Sequence, residues 1–168
     1  MDKREFACDV GVLVGHGAVR TWVLGARSNA ADIPGGATAN PLSPEEVAKM
    51  RKVVEEAVAA GAVGLSSSRV AVHRDASGVL LPGSLASHEE LLEMGRGVAD
   101  GGGGVFELAS SWTLYDDFVR AGAPDPQEVK KYFRGEWEWI AQMASIPGVS
   151  FTTGVGNGMT EETAWSHR

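Results

Sequence analysis

The chain has 168 residues, of which 43% are hydrophobic and 22% are charged. This size and balance are typical of one globular domain with a hydrophobic core, and no apolar run approaches the roughly 18 residues of a membrane span. The formal net charge of −7 disfavours binding to a phosphate backbone, so we expect no nucleic-acid partner. The single cysteine, Cys8, excludes an internal disulfide, and the N-terminus lacks the apolar stretch of a signal peptide. We therefore expect a cytoplasmic protein.

Three long helices are predicted from a start signal that recurs along the chain. In this signal a capping side chain accepts a hydrogen bond from a free backbone amide, and an acidic residue three positions later reaches back to the cap. The signal begins at Ser43, Ser87 and Asp125, and each time apolar residues follow at helical spacing. Two shorter helices are expected over Ala18 to Leu24 and Leu114 to Ala121.

Four short apolar runs alternate with these helices and are predicted to be strands. Because the runs are continuous, they indicate parallel strands that are buried on both faces. They are Val10 to Val14, Ala62 to Ser66, Gly104 to Leu108 and Val149 to Thr153. The alternation predicts an α/β fold. Periodicity leaves two architectures open, a small doubly wound sheet and about half of an eight-stranded parallel barrel.

Five segments, in order, carry a resemblance to a known family. They are Asp9 to Arg20, Glu56 to Ser66, Ser68 to Arg74 with Leu81 to Leu91, Gly104 to Leu108, and Val149 to Thr152. Together they resemble the N-acyl-D-amino-acid deacylases, which are metal-dependent members of the amidohydrolase superfamily. The resemblance implies a partial TIM-like (β/α) barrel, with about four parallel strands that would be the third to sixth of the barrel. It also implies that residues 1–168 form a single partial domain from the centre of a larger enzyme.

The same resemblance implies a reaction, the hydrolysis of the amide bond in small N-acyl-D-amino acids. In that family one or two zinc ions activate the attacking water. The His-x-His pair of the family's first strand does not occur in this chain, and the histidines of its fifth and sixth strands correspond to Ala109 and approximately to Thr153. We therefore expect this chain to bind no zinc itself.

Two other functions remain open beside the hydrolase. One is a non-catalytic α/β remnant or scaffold that lacks metal ligands. The other is a small open-sheet protein that binds a small ligand or a phosphate at the glycine-rich segment after Thr153.

Five residues are candidates for contact with a substrate. Arg69, His73 and Arg74 follow the second strand, in a loop that would lie at the catalytic face of a barrel. An arginine there could bind a carboxylate through both arms of its guanidinium, and a salt bridge to the nearby aspartate is the alternative. His16 lies between two glycines and is either a ligand contact or a capping or core histidine. Glu107 interrupts an apolar strand and is a candidate acid or base, unless it pairs with an arginine for structural reasons.

A sheet of four barrel strands would have two unpaired edges. Closure is what removes such edges in a complete barrel. We therefore expect the chain to self-associate through the open edges of its sheet.

Overall fold

The computed structural model describes residues 7–29, 42–70, 73–84, 86–110 and 126–154, without the side chains of 126–133. The predicted short helix over 114–121, the cap at Asp125 and the glycine-rich segment after Gly154 lie outside the described residues. The strands are β1 Leu13–Gly15, β2 Gly64–Ser68, β3 Gly104–Ala109 and β4 Val149–Thr153. The helices are α1 His16–Leu24, α2 Pro44–Ala59, α3 His88–Asp100 and α4 Pro126–Ala144, with a 3-10 turn at Gly25–Arg27.

The four strands form one parallel sheet in the order β1-β2-β3-β4, so each strand pairs with its neighbour in the chain. Parallel strands joined by right-handed crossovers in this consecutive order place every connecting helix on the same side of the sheet. A doubly wound sheet instead reverses its strand order at a switch point. The fold is therefore α/β with the topology of part of a (β/α) barrel. The strand order makes this distinction, which periodicity could not.

The two faces of the sheet differ in composition. One row across the sheet joins Val14, Leu65, Phe106 and Phe151, and the adjacent row joins Gly15, Ser66, Glu107 and Thr152. Leu65 and Phe106 are fully buried, whereas Glu107 and Thr152 are exposed. The first row faces the helices and the second lies on the face opposite to them, which we call the open face. The prediction of strands buried on both faces is therefore wrong for the described sheet, because the described helices all lie on one side of it.

Two of the predicted helix starts can be compared with the structure. At α2 both hydrogen bonds of the start signal are present and form a capping box. Ser43 accepts from the Glu46 amide, and the Glu46 carboxylate accepts from the Ser43 amide. At α3, Ser87 accepts from the Glu90 amide at 3.1 Å, but the Glu90 carboxylate bonds to His16. Sequence alone predicted that Glu90 would bond to the cap. The carboxylate instead takes a buried partner, because charge-assisted hydrogen bonds are stronger away from water.

The core lies between the helices and the covered face of the sheet. Its fully buried side chains come from α2, α3, β2, β3 and α4, among them Met50, Val54, Leu91, Met94, Val98, Leu65, Phe106, Trp139 and Met143. No helix within the described ranges is long and apolar enough to span a bilayer.

The backbones of α2 and α3 approach closely at Gly97. A β-carbon placed on Gly97 would lie 2.7 Å from the carbonyl oxygen of Arg51 and 3.1 Å from the Val54 β-carbon. The neighbour is helix backbone, which cannot move aside without shifting α2.

We expect Gly97→Ala to destabilise the fold, although alanine is the better helix former, because overpacking costs about 1–3 kcal/mol. Gly135→Ala in α4 is the matched control. A β-carbon on Gly135 would meet the His88 ring at 3.7 Å, an ordinary contact, so the helix preference for alanine should stabilise by about 0.5–1 kcal/mol. Urea unfolding of both variants measures the two effects. Equal effects at the two positions would contradict the close packing of α2 against α3.

Candidate functional site

The carboxyl ends of the four strands meet at one edge of the sheet, where barrel enzymes place their active sites. The residues that directly follow the strands are His16, Arg69, Ser110 and Gly154. The ends of β3 and β4 are joined beyond the ladder, because the Ser110 hydroxyl donates to the Gly154 carbonyl at 2.8 Å and the Thr153 hydroxyl donates to the Leu108 carbonyl at 2.9 Å. This edge is therefore well ordered by hydrogen bonds where it would face a substrate.

His16 begins α1 and is 2% exposed. Its Nδ1 lies 2.9 Å from the Ser67 hydroxyl and its Nε2 lies 2.8 Å from a Glu90 carboxylate oxygen. A ring with its proton on Nε2 satisfies both contacts, since it donates to Glu90 and accepts from Ser67. The structure therefore places His16 as a core histidine that joins β1, β2 and α3, which was the structural alternative to substrate contact.

The second carboxylate oxygen of Glu90 lies 3.4 Å from a guanidinium nitrogen of Arg20, and both side chains are buried. Glu90 thus lies between His16 and Arg20, one turn apart on α1. The loop over 73–84 packs on the same cluster through Gly83, where a β-carbon would lie 2.8 Å from the His16 ring. The positive φ of 89° also requires glycine there.

Arg69 is also buried and bonds to a carboxylate. Its guanidinium donates to both Glu136 oxygens at 2.7 and 2.8 Å, and its third contact is the Ala86 carbonyl at 2.6 Å. The Glu136 carboxylate also accepts from His88 Nε2 at 2.8 Å, and the His88 ring stacks on Trp139. The guanidinium of Arg69, which we expected to bind a substrate carboxylate, is therefore hydrogen-bonded to a carboxylate of α4. The His88 side chain is about half-buried against Trp139.

Burial alone would raise the pKa of Glu136. The hydrogen bond from His88 and the charge and hydrogen bonds of Arg69 outweigh that burial, so the pKa of Glu136 lies below its usual value. An ionised carboxylate with this set of partners joins β2, α3 and α4 at the carboxyl edge of the sheet.

His73 and Arg74 lie in an exposed loop that folds back over the end of β2. Arg74 donates to the Gly78 carbonyl at 2.7 Å. Asp75, the expected salt-bridge partner, accepts from the amides of Ser77 and Val79 and so closes a tight turn. The distance between His73 Nδ1 and the hydroxyl oxygen of Ser68, the last residue of β2, is 2.6 Å.

Glu107 lies on the open face and is exposed. In the register of the sheet it stands beside Ser66 on β2 and Thr152 on β4. Its carboxylate reaches solvent, so the premise of a buried acid does not hold in this chain. In a closed barrel this same face would be the interior.

A shallow apolar groove runs between α1 and the 73–84 loop. It is lined by Gly17, Ala18, Thr21, Trp22, Leu81 and Pro82, and Trp22 is 80% exposed. Since α1 begins where β1 ends, the groove borders the same edge of the sheet as Arg74.

Sequence reasoning did not select Glu136, Ser68 or Trp22. Glu136 had a usable signal, because it stands three and seven positions before Trp139 and Met143, on the apolar face of α4. A carboxylate on such a face requires a buried partner. Ser68 and Trp22 had none, since their importance depends on which loop folds next to them.

The donor set of the described residues does not fit zinc. No group of three histidine, cysteine or acidic side chains lies close enough to hold a metal ion anywhere in the described ranges. Ala109 and Thr153 carry no nitrogen donor, and the ring nitrogens of His16 are engaged by Ser67 and Glu90. No step of a reaction is therefore assigned to a metal.

Comparison of the chain with protein-family models, with curated proteins and with solved structures gives no match.

Glu136→Gln should destabilise the protein by about 3–5 kcal/mol near neutral pH, because it leaves the buried Arg69 without an opposite charge. The folded-state pKa of Glu136 is depressed, so its stabilising contribution is present above about 4.5 and is lost as the pH falls through the folded-state value. Urea unfolding from neutral to acid pH should show the difference between wild type and variant narrowing below about 4.5. Glu138→Gln, at an exposed position on the same helix, is the control. A difference that does not change with pH would contradict an ionised Glu136.

Proposed function

We propose that this chain is the central portion of a (β/α)-barrel amidohydrolase that acts on N-acyl-D-amino acids or related N-acyl compounds. The consecutive order of the four parallel strands is the observation that carries the proposal. It is the order that the resemblance to the N-acyl-D-amino-acid deacylases requires, and an open doubly wound sheet would not have it. A free and exposed Cys8 fits a reducing, cytoplasmic location.

The contacts at the carboxyl edge favour Arg74 over Arg69 as the group that binds a substrate carboxylate. The guanidinium of Arg69 is buried and bonds to Glu136 through both arms, whereas Arg74 is exposed and bonds to one carbonyl. The groove beside Trp22 and Leu81 offers apolar surface for the acyl group. An acyl chain and a carboxylate are the two chemical features that an N-acyl amino acid presents.

A second function, a binding remnant without catalysis, is favoured by the donor set within the described residues, which does not fit zinc. Such a protein would retain the groove and Arg74, and it would bind N-acyl amino acids without cleaving them.

Binding and hydrolysis can be measured separately. The full chain is mixed with N-acetyl-D-leucine or N-acetyl-L-leucine, amide chemical shifts report binding, and release of free amine reports hydrolysis. We expect shifts at Arg74 and around the Trp22 groove, larger for the D-enantiomer, and a weakening of roughly tenfold or more in Arg74→Gln, because a charge-assisted hydrogen bond contributes about 1.5–3 kcal/mol.

Arg96→Gln, an exposed arginine on α3, is the matched control and should bind as wild type does. Binding without amine release would favour the remnant. Equal, unselective binding of both enantiomers, or no binding at all, would contradict the proposal for both functions.

We further propose that the isolated chain pairs with a second copy through its sheet edges. β1 and β4 each have one neighbour among the described strands, and eight strands close a parallel barrel. Two copies related by a two-fold axis would place β4 of each beside β1 of the other and would enclose the open face as the barrel interior, with the carboxyl edges of both sheets at one mouth of the barrel.

Light scattering should then give twice the chain mass of 17.7 kDa. Thr152→Lys would place a charge inside the closed barrel and should yield monomers. Gln142→Lys adds the same charge at an exposed position of α4 and should leave the dimer intact. A monomeric wild-type chain would contradict closure by a second copy.

A further inference from the structure

A serine hydroxyl and a histidine ring nitrogen lie within hydrogen-bond distance at the carboxyl end of β2. The distance between Ser68 Oγ and His73 Nδ1 is 2.6 Å. Ser68 is the last residue of the strand, and alternation along β2 puts it on the open face with Ser66, whereas Ser67 bonds to His16 on the helix side. The hydroxyl therefore lies at the carboxyl edge of the sheet.

The loop that carries His73 is fixed by its own backbone. The His73 amide donates to the Val70 carbonyl, the Leu81 amide donates to the His73 carbonyl at 3.0 Å, and Arg74 bridges to Leu80 in antiparallel fashion. The Asp75 turn closes the loop. These bonds hold the imidazole over Ser68.

The pair is accessible to a ligand. His73 is exposed, and the residue beside Ser68 in the register of the sheet is Ala109, whose side chain is a single methyl group. The two other histidines of the described chain differ, since His16 and His88 each bond to a carboxylate of the fold. Among these three, His73 is the one whose ring bonds to a hydroxyl at an open surface.

We propose that Ser68 and His73 form a nucleophile–base pair that transfers acyl groups from esters to water. With the ring proton on Nε2, the Nδ1 lone pair of His73 takes the hydroxyl proton as Ser68 Oγ attacks the carbonyl carbon. The new bond is Oγ to carbon, the ester C–O bond breaks, and the alcohol leaves with the proton from His73. Water then attacks the acyl carbon as His73 takes its proton, the bond between that carbon and Ser68 Oγ breaks, and His73 returns the proton to Oγ, which leaves the free serine hydroxyl and the carboxylic acid.

This activity is separate from the proposed deacylase function, because it requires neither a metal ion nor an N-acyl amino acid. Hydrolysis of N-acetyl-D-leucine can be absent while Ser68 reacts, and Ser68 can be unreactive while N-acetyl-D-leucine is hydrolysed. The failure of one proposal is therefore distinguishable from the failure of the other.

The test uses the full chain with a fluorophosphonate, which labels a reactive serine by forming an Oγ–P bond and releasing fluoride. We expect one adduct by intact mass, located on Ser68 by peptide mapping, and hydrolysis of p-nitrophenyl butyrate. Ser68→Ala should remove both, and His73→Gln should slow labelling by roughly 10²-fold or more, the usual contribution of a general base. In His73→Ala, added imidazole should restore part of the rate.

Ser66→Ala is the matched control, since Ser66 lies on the same strand and face two residues earlier, and it should be labelled as wild type is. Thermal unfolding verifies that each variant is folded. Absence of labelling in the wild type, labelling at another serine, or an ester hydrolysis rate that survives Ser68→Ala would each overturn the proposal.

Discussion

One-sided burial of the sheet is the constraint on which the rest of the structure depends. Consecutive parallel strands with right-handed crossovers place the described helices on the same face. That face contributes Leu65, Phe106 and Leu108 to the core, and the opposite face displays Glu107 and Thr152. A strand that is buried on one side must alternate, so the polar residues of β2, β3 and β4 follow from where the helices lie.

Two buried carboxylates join the helices to the sheet near its carboxyl edge. Glu90 and Glu136 are both nearly inaccessible, and each accepts hydrogen bonds from a histidine and lies beside an arginine of another element. In a low-dielectric interior such pairs are costly to break by removing one partner, which favours a single relative position of the elements. Glu90 fixes α3 against α1 and β2, and Glu136 fixes α4 against β2. The positions of the elements at the carboxyl edge thus depend on buried ion pairs as well as on apolar packing.

Burial decides which polar groups at the carboxyl edge are available to a ligand. Arg69 and His16 look like substrate ligands in the sequence, yet both are engaged by carboxylates of the fold. The groups left at the surface, Arg74 and the Ser68–His73 pair, belong to one loop and the strand end beneath it. A site at this edge would therefore rest on a rigid buried layer and present its reactive groups from a loop, as barrel enzymes do.

The sequence by itself determined the α/β class, the start of α2 with its complete capping box and, within three residues at each end, the positions of the strands, because these depend on neighbours a few positions away. It located Arg69, His73 and Arg74 in one loop after β2. Tertiary structure decided the strand order, the open face, the true partner of Glu90 and the pairing of Arg69 with Glu136. Those partners are far apart along the chain, 67 positions for Arg69 and Glu136. Local pattern carries no information on such contacts, since packing of whole elements determines which buried charges meet.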